Sequence, residues 1–156
     1  LEKVSSAVII GDFLTHRFDR VFDFIVCIDV IEHILDTDTF FMKTREALAP
    51  DGLCFIQTPN LASWHGRLSL LLGFTPEPME VSDVKNWFGK LPFMRGDYSI
   101  HHVRVFTYRA LREMAEFYGF EVVKAAGVDH RIPYLFGPFP GIAAQMCLVL
   151  RRRGET

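Results

Sequence analysis

Residues 22–33 read Phe-Asp-Phe-Ile-Val-Cys-Ile-Asp-Val-Ile-Glu-His. The apolar run Phe24–Ile28 has the length of a strand, and its near-continuous apolar character predicts burial on both faces, as in a parallel sheet. Asp29 ends the run, and Glu32 and His33 follow within one turn. Open α/β sheets bind their ligands at the carboxyl ends of strands. Asp29, Glu32 and His33 are therefore candidate functional residues.

The rest of the chain alternates strand-like and helix-like patterns, which predicts an α/β sheet with helices on its faces. Asp36 or Asp38 can cap a helix that stops at Pro50, and Thr107 can cap a second one. The second helix has an apolar stripe at i, i+3, i+4 and i+7: Leu111, Met114, Ala115 and Tyr118. The further strands are predicted at Ala7–Ile10, Leu53–Thr58, Glu121–Ala125 and Ala143–Leu150.

Residues 61–100 interrupt this alternation. They begin with a predicted amphipathic helix whose apolar positions are Trp64, Leu68, Leu71 and Leu72. An irregular segment follows, rich in proline, glycine and aromatic residues. Long irregular segments in compact domains are usually functional. We therefore predict one domain, residues 1–156, with a lid-like insertion at about 61–100.

Composition narrows the class of protein. The chain has 156 residues, 49% of them hydrophobic, and a formal net charge of −2, so we expect no nucleic-acid partner. No apolar run is long enough for a membrane span. Three cysteines without CxxC spacing favour buried free thiols in a reducing compartment, which predicts a cytoplasmic protein.

A set of landmarks resembles one family. They are Asp29–His33, then Thr58-Pro59-Asn60, then His102-Val103-Arg104-Val105-Phe106-Thr107, and finally Gly119-Phe120. In this order they resemble the class I S-adenosylmethionine-dependent methyltransferases. The resemblance implies a Rossmann-like, doubly wound, mostly parallel sheet whose last strand runs antiparallel between its neighbours. It also implies S-adenosylmethionine as cofactor and methyl transfer to an acceptor, small or macromolecular, that the sequence does not identify.

The resemblance also implies site roles. Asp29, Val30 and Ile31 would line the methionine end of the cofactor. Asp12 would accept from the adenine amino group, or it is an ordinary turn residue; the sequence leaves both open. His33 is a candidate general base beside Glu32 because the pKa of an imidazole is near neutrality. The candidate catalytic set is Glu32, His33, His101 and His102, and these are expected to converge with Asp29 and Asn60 on one cleft.

Some relatives in this family hold a divalent cation with a Glu-x-x-Glu-His run and a distal histidine. Here Asp29-x-x-Glu32-His33 keeps that spacing, and His101 or His102 could supply the distal imidazole. The alternative is that Glu32 and His33 cap a helix and support the lid. We favour this alternative and predict no metal ligands.

The chain departs from the family in one respect: it contains no Gly-x-Gly-x-x-Gly run, the turn that cradles the cofactor. The resemblance begins at about the third strand of the family fold, so we expect an amino-terminal truncation of roughly 60 residues. Either the chain is a methyltransferase that needs this missing half, or it is a non-catalytic binding or assembly module. The truncation would leave Phe24–Ile28 as an exposed sheet edge. Either Ala7–Ile10 shifts across to occupy the vacant position, or two copies pair edge to edge; we favour the second and predict a homodimer.

Overall fold

A computed structural model describes residues 9–129 and 135–154. Its strands are β1 (Phe22–Ile28), β2 (Leu48–Pro59), β3 (Phe120–Val128) and β4 (Gln145–Arg152). Its α-helices are α1 (Thr37–Ala47), α2 (Trp64–Leu71) and α3 (Tyr108–Phe117), and single 3-10 turns form at Ile31–His33 and Pro92–Met94.

The strands form one mixed sheet in the order β1-β2-β4-β3. β1 pairs parallel with β2, and β4 runs antiparallel to both β2 and β3. Three strands therefore point the same way, and the last strand runs antiparallel between its neighbours, as expected. Of the strand predicted at Ala7–Ile10, residues 7 and 8 lie outside the described residues. Ile9 and Ile10 are not in a strand, and Ile10 is 97% exposed.

Local sequence signals place α1 and α3. The Asp36 carboxylate accepts from the Thr39 amide at 3.0 Å and caps α1. Hydrogen bonds from Thr39 lower the pKa of Asp36. The Thr107 hydroxyl accepts from the Ala110 amide at 3.2 Å and caps α3. Leu111 and Ala115 of α3 are fully buried. The predicted caps and the predicted apolar stripe of α3 are confirmed.

Both helices cover one face of the sheet. The core between the helices and the sheet contains fully buried side chains from both, including Phe41, Cys54, Ile56, Phe120 and Leu148. Burial raises the pKa of Cys27 and of Cys54 to about 12, so both thiols stay protonated at neutral pH. No helix within the described ranges is long and apolar enough to cross a membrane.

The other face of β1 is open, so the prediction that this strand is buried on both faces is wrong for the described residues. Ile25 and Cys27 point toward the core, whereas Phe24, Val26 and Ile28 are 53%, 56% and 48% exposed. The apolar run has the composition of a doubly covered strand, but α1 and α3 pack on only one side of it.

Helix α2 is oriented opposite to its hydrophobic pattern. The predicted inward residues are exposed, Leu71 by 82%, while His65, Gly66 and Ser69 are buried. A Cβ atom on Gly66 would lie 2.5 Å from the Leu61 carbonyl oxygen, so the helix approaches its neighbours through its smallest side chains. His65 is therefore only 3% exposed.

The core predicts the effect of one substitution on α1. Phe41 is fully buried and stacks on Tyr118, with ring centroids 5.8 Å apart. Phe41→Ala should lower the free energy of unfolding by about 3–5 kcal/mol in a urea titration, because it leaves a cavity. Its neighbour Met42 is 51% exposed. Met42→Ala is the control and should stay within roughly 0.5 kcal/mol of wild type. Equal effects of the two changes would contradict this packing.

Candidate functional site

The loop after β1 turns sharply at the carboxyl end of the strand. Asp29 has a φ of +50°, in the left-handed region, and its amide donates to the Gln57 carbonyl of β2 at 3.0 Å. The 3-10 turn that follows inserts Ile31 into the core and buries Glu32, while His33 stays exposed. Ile31 therefore anchors the loop and fixes its two polar neighbours at the edge of the sheet.

The backbone of this loop is joined to a distant segment. The Glu32 carbonyl accepts from the amides of Val103 and Arg104, at 2.9 and 3.0 Å. The Arg104 guanidinium also donates to the Leu35 carbonyl, from Nε at 3.1 Å and from a terminal nitrogen at 3.0 Å. These bonds place His102, 70 positions along the chain, beside Glu32.

Glu32, His33 and His102 form a cluster whose possible ligand atoms all lie within 4.8 Å of one another. The two imidazole rings are 5.0 Å apart between centroids. His33 Nδ1 is 3.0 Å from the His101 carbonyl, and His102 Nδ1 is 3.0 Å from the Pro78 carbonyl. A carbonyl oxygen only accepts, so Nδ1 carries the proton in both neutral rings. Both Nε2 atoms are therefore left with a lone pair for other partners.

The Glu32 carboxylate is almost fully buried, and only one of its two oxygens has a hydrogen-bond partner among the described residues. Its Oε2 accepts from the Thr58 hydroxyl at 2.8 Å, and its Oε1 has no hydrogen-bond partner among the described residues. A buried carboxylate oxygen without a partner is costly. The chemistry of this set, one carboxylate and two basic imidazole nitrogens, suits a proton shared with an imidazole or a divalent cation.

A pocket of about 350 Å³ opens beside the cluster. His102 belongs to both, so the cluster adjoins the pocket through this one residue. The remaining wall comes from His65 of α2, from the ends of β2 and β4 and from the irregular segment after α2. It is lined by Pro59, His65, Glu77, Pro78, Asn86, Phe93, Met94, Arg95, Gly96, Ile100, His102, Ala144 and Gln145.

The structure separates the two candidate distal histidines. Only His102 brings its imidazole to the cluster. His101 contributes its backbone carbonyl to His33 and has a φ of +59°.

Asn60 does not face the expected cleft. Its Nδ2 donates to the carbonyls of Pro140 and Ala143, and its Oδ1 accepts from the Ala62 amide. These bonds to backbone atoms explain its burial and leave it a structural role.

The residues predicted to contact the cofactor are in three different settings. Asp29 and Val30 are exposed at the carboxyl end of β1. The Ile31 side chain lies in the core, so only its backbone could face a ligand. Asp12 is exposed, and its Oδ1 accepts from the Leu14 amide at 2.9 Å within its own turn.

Sequence reasoning missed Pro78 and Glu80, which contact the His102 region from the irregular segment. The Glu80 carboxylate accepts hydrogen bonds from Ser99, Ile100 and His102. No local pattern could have revealed this, because the partners are separated by 19 to 22 positions.

The sequence model of a methyltransferase domain matches residues 10–125. The chain belongs to this methyltransferase family. No curated protein sequence matches it significantly.

Solved structures with a similar fold include several methyltransferases. One is a SAM-dependent methyltransferase of Thermotoga maritima, described as a possible histamine N-methyltransferase, with 16% identity and a TM-score of 0.61 over 92% of this chain and 62% of that one. Another is the small RNA methyltransferase HEN1, with 19% identity and a TM-score of 0.56 over 94% of this chain and 16% of that one. The N-methyltransferase NodS of Bradyrhizobium japonicum, in complex with S-adenosyl-L-homocysteine, has 13% identity and a TM-score of 0.50 over 92% and 53%.

At these identities the likeness concerns the fold. The chain spans less than two thirds of the length of each of these three proteins.

The Glu32–Thr58 contact leads to a stability prediction. Thr58→Val has nearly the same shape but removes the donor to the buried carboxylate, so unfolding free energy should fall by about 1–3 kcal/mol. Thr58→Ser keeps the hydroxyl and loses only a methyl group, so it should cost clearly less. Chemical denaturation of both variants measures the difference. A serine variant as unstable as the valine variant would indicate that packing, and not the hydrogen bond, decides.

Proposed function

We propose that this protein takes part in S-adenosylmethionine-dependent methyl transfer and that this chain carries the acceptor side of the active site. One observation supports the proposal above the others. In a member of the methyltransferase family, two imidazoles with free Nε2 atoms and a buried carboxylate meet beside the carboxyl end of β1, and the imidazole of His102 also lines a pocket. Open α/β sheets bind their ligands at this end of the strands.

The pocket would hold the methyl acceptor. Its volume of about 350 Å³ lies within the usual range for small-molecule sites, which favours a small acceptor. Residues of the segment 61–100 form much of the wall, so this segment acts as the lid. His102 faces the pocket, and its Nε2 would accept the proton of an acceptor hydroxyl or amine. His33 Nε2 and the Glu32 carboxylate would stabilise the imidazolium that results.

The exposed Asp29 and Val30, together with the backbone of Ile31, would face the methionine end of S-adenosylmethionine, and Asp12 its adenine. When bound, this cofactor supplies an electrophilic methyl group on its sulfonium. The chain lacks the Gly-x-Gly-x-x-Gly turn that allows the backbone to approach such a cofactor closely. We therefore expect this chain to bind the cofactor weakly and to depend on further residues for full activity.

The cluster also fits a divalent cation. Glu32 Oε1 and the Nε2 atoms of His33 and His102 would hold it, and both imidazoles already donate Nδ1–H to carbonyl groups, as metal-bound histidines usually do. A cation there would lower the pKa of an acceptor hydroxyl. The role of Glu32 and His33 as purely structural residues is the competing interpretation.

The test is a methyl-transfer assay with radiolabelled S-adenosylmethionine at millimolar concentration and a panel of phenols and amines. His33→Ala and His102→Ala should each reduce the rate on the order of 100-fold or more, because each removes a group of the proton-transfer site. The melting temperature should change little. His16→Ala is the matched control, since His16 packs on Phe18 outside the cluster.

Three outcomes distinguish the interpretations. Equal rates in the wild type and both cluster variants would contradict the catalytic proposal. A large loss of thermal stability in His33→Ala would favour the structural role. No transfer and no binding, even in a full-length protein, would favour the binding or assembly module. Repeating the assay with EDTA and with added Mn²⁺ tests the cation.

We further propose that two copies of the chain associate through β1. This strand is the edge of the described sheet, and its outward side chains Phe24, Val26 and Ile28 form an exposed apolar row. Unpaired edge strands and exposed apolar surface both favour association with another chain.

Sedimentation at micromolar concentration should therefore show a dimer, and Val26→Asp should convert it to a monomer because it places a charge in the middle of the apolar row. Val84→Asp is the control: Val84 is also exposed, but it lies in the lid segment. A wild-type monomer, or a dimer that both variants leave intact, would contradict association through β1.

A further inference from the structure

Three hydrogen-bond donors converge on the carboxylate of Glu80, in the irregular segment after α2. The Ile100 amide donates to Oε1 at 2.9 Å, and the Ser99 hydroxyl and the His102 amide donate to Oε2 at 2.9 and 3.1 Å. We propose that Glu80 is a positioning residue that holds the imidazole of His102 in the cluster with Glu32 and His33. A contribution of Glu80 to catalysis rests on the proposed function, whereas its effect on the position of the His102 ring does not.

The turn that Glu80 holds is strained. His101, between the bonded residues, has a φ of +59°, which a side chain with a Cβ rarely adopts. Its amide donates to the Ser99 hydroxyl at 3.1 Å, and its carbonyl accepts from His33. Such a conformation persists only when its surroundings enforce it. The bonds from Ile100 and His102 to Glu80, on either side of His101, hold the turn in this conformation.

The same short loop holds the His102 ring. The Pro78 carbonyl accepts from His102 Nδ1, so the backbone of His102 is bound by Glu80 and its imidazole by a residue two positions earlier. The loop is itself attached, because the buried Lys90 donates from Nζ to the Glu77 carbonyl. Losing the bonds to Glu80 would free the His102 backbone and pull its ring away from Pro78.

The charge of Glu80 is well stabilised. Partial burial by itself raises its pKa, but hydrogen bonds from Ile100, Ser99 and His102 outweigh this and hold the pKa below the usual value for a glutamate. Glu80 is therefore ionised at neutral pH and accepts with both oxygens. Glu77, Pro78, Ile100 and His102 line the pocket, so these bonds also shape the wall that the acceptor would meet.

The test is Glu80→Gln, observed by long-range ¹H–¹⁵N NMR of the histidine rings at a pH where they are neutral. Glutamine has the same shape, but an NH₂ group replaces one acceptor oxygen, so either the bond from Ile100 or the bonds from Ser99 and His102 are lost, and the turn is no longer held on both sides of His101. In the wild type, His33 and His102 should both show the Nδ1–H form. In the variant, His102 should shift toward the Nε2–H form, which a free imidazole prefers.

Glu46→Gln is the matched control. It makes the same chemical change on α1, at a side chain that is 70% exposed and paired only with Lys43 in the described structure. It should leave both histidine signatures unchanged. Ser99→Ala removes one of the three donors to Glu80, so it should shift His102 by less than Glu80→Gln does.

Two results would overturn the proposal. His102 could keep its Nδ1–H form in Glu80→Gln, which would show that holding the turn on both sides of His101 is not needed to position the ring. The backbone amides of residues 86–96 could collapse to unfolded shifts together with His102, which would make Glu80 a general folding residue of the segment. Neither result depends on methyl transfer. Failure of the transfer assay with an intact Glu80 effect would reject the proposed function and leave the positioning role standing.

Discussion

Two hydrogen bonds to one backbone carbonyl join two segments that are far apart in the sequence. Glu32 presents its carbonyl to the amides of Val103 and Arg104, and this attaches the loop after β1 to the segment that leads into α3. The cluster depends on that attachment, because it brings the segment that contains His102 beside Glu32. Since the bonds are made by the backbone, they do not depend on the side chain at position 32. The carboxylate is thereby free to act in the cluster.

The position of the Glu32 carboxylate is energetically costly. Glu32 lies at the edge of the core, with one oxygen bonded to Thr58 and the other without a partner among the described residues. A core that served stability alone would place an apolar or fully bonded group there. Such unfavourable local arrangements are expected at functional sites. In the proposed site, the two imidazoles beside this carboxylate would give the arrangement a chemical purpose.

Local patterns in the sequence predicted the features that depend on neighbours in the chain. The strand Phe24–Ile28, the cap at Asp36 and the stripe of α3 follow from periodicity and capping, and the antiparallel last strand followed from the family resemblance. The apolar pattern mispredicted the buried face of α2, because tight packing buries the small residues of this helix and not its leucines. It also could not choose between His101 and His102. That choice depends on a left-handed turn and on contacts from Pro78 and Glu80, about 20 positions away.

The inverted packing of α2 determines how this part of the sequence can diverge. Any side chain at Gly66 would meet the Leu61 carbonyl oxygen, and Ser69 is enclosed against the His65 backbone. These two positions tolerate almost no increase in volume, so related sequences should keep them small. The exposed leucines face no comparable steric limit within the described structure. Ranking the positions of α2 by hydrophobicity would therefore place the constraint on the wrong side of the helix, because its packing predicts that the polar face varies more slowly than the leucines.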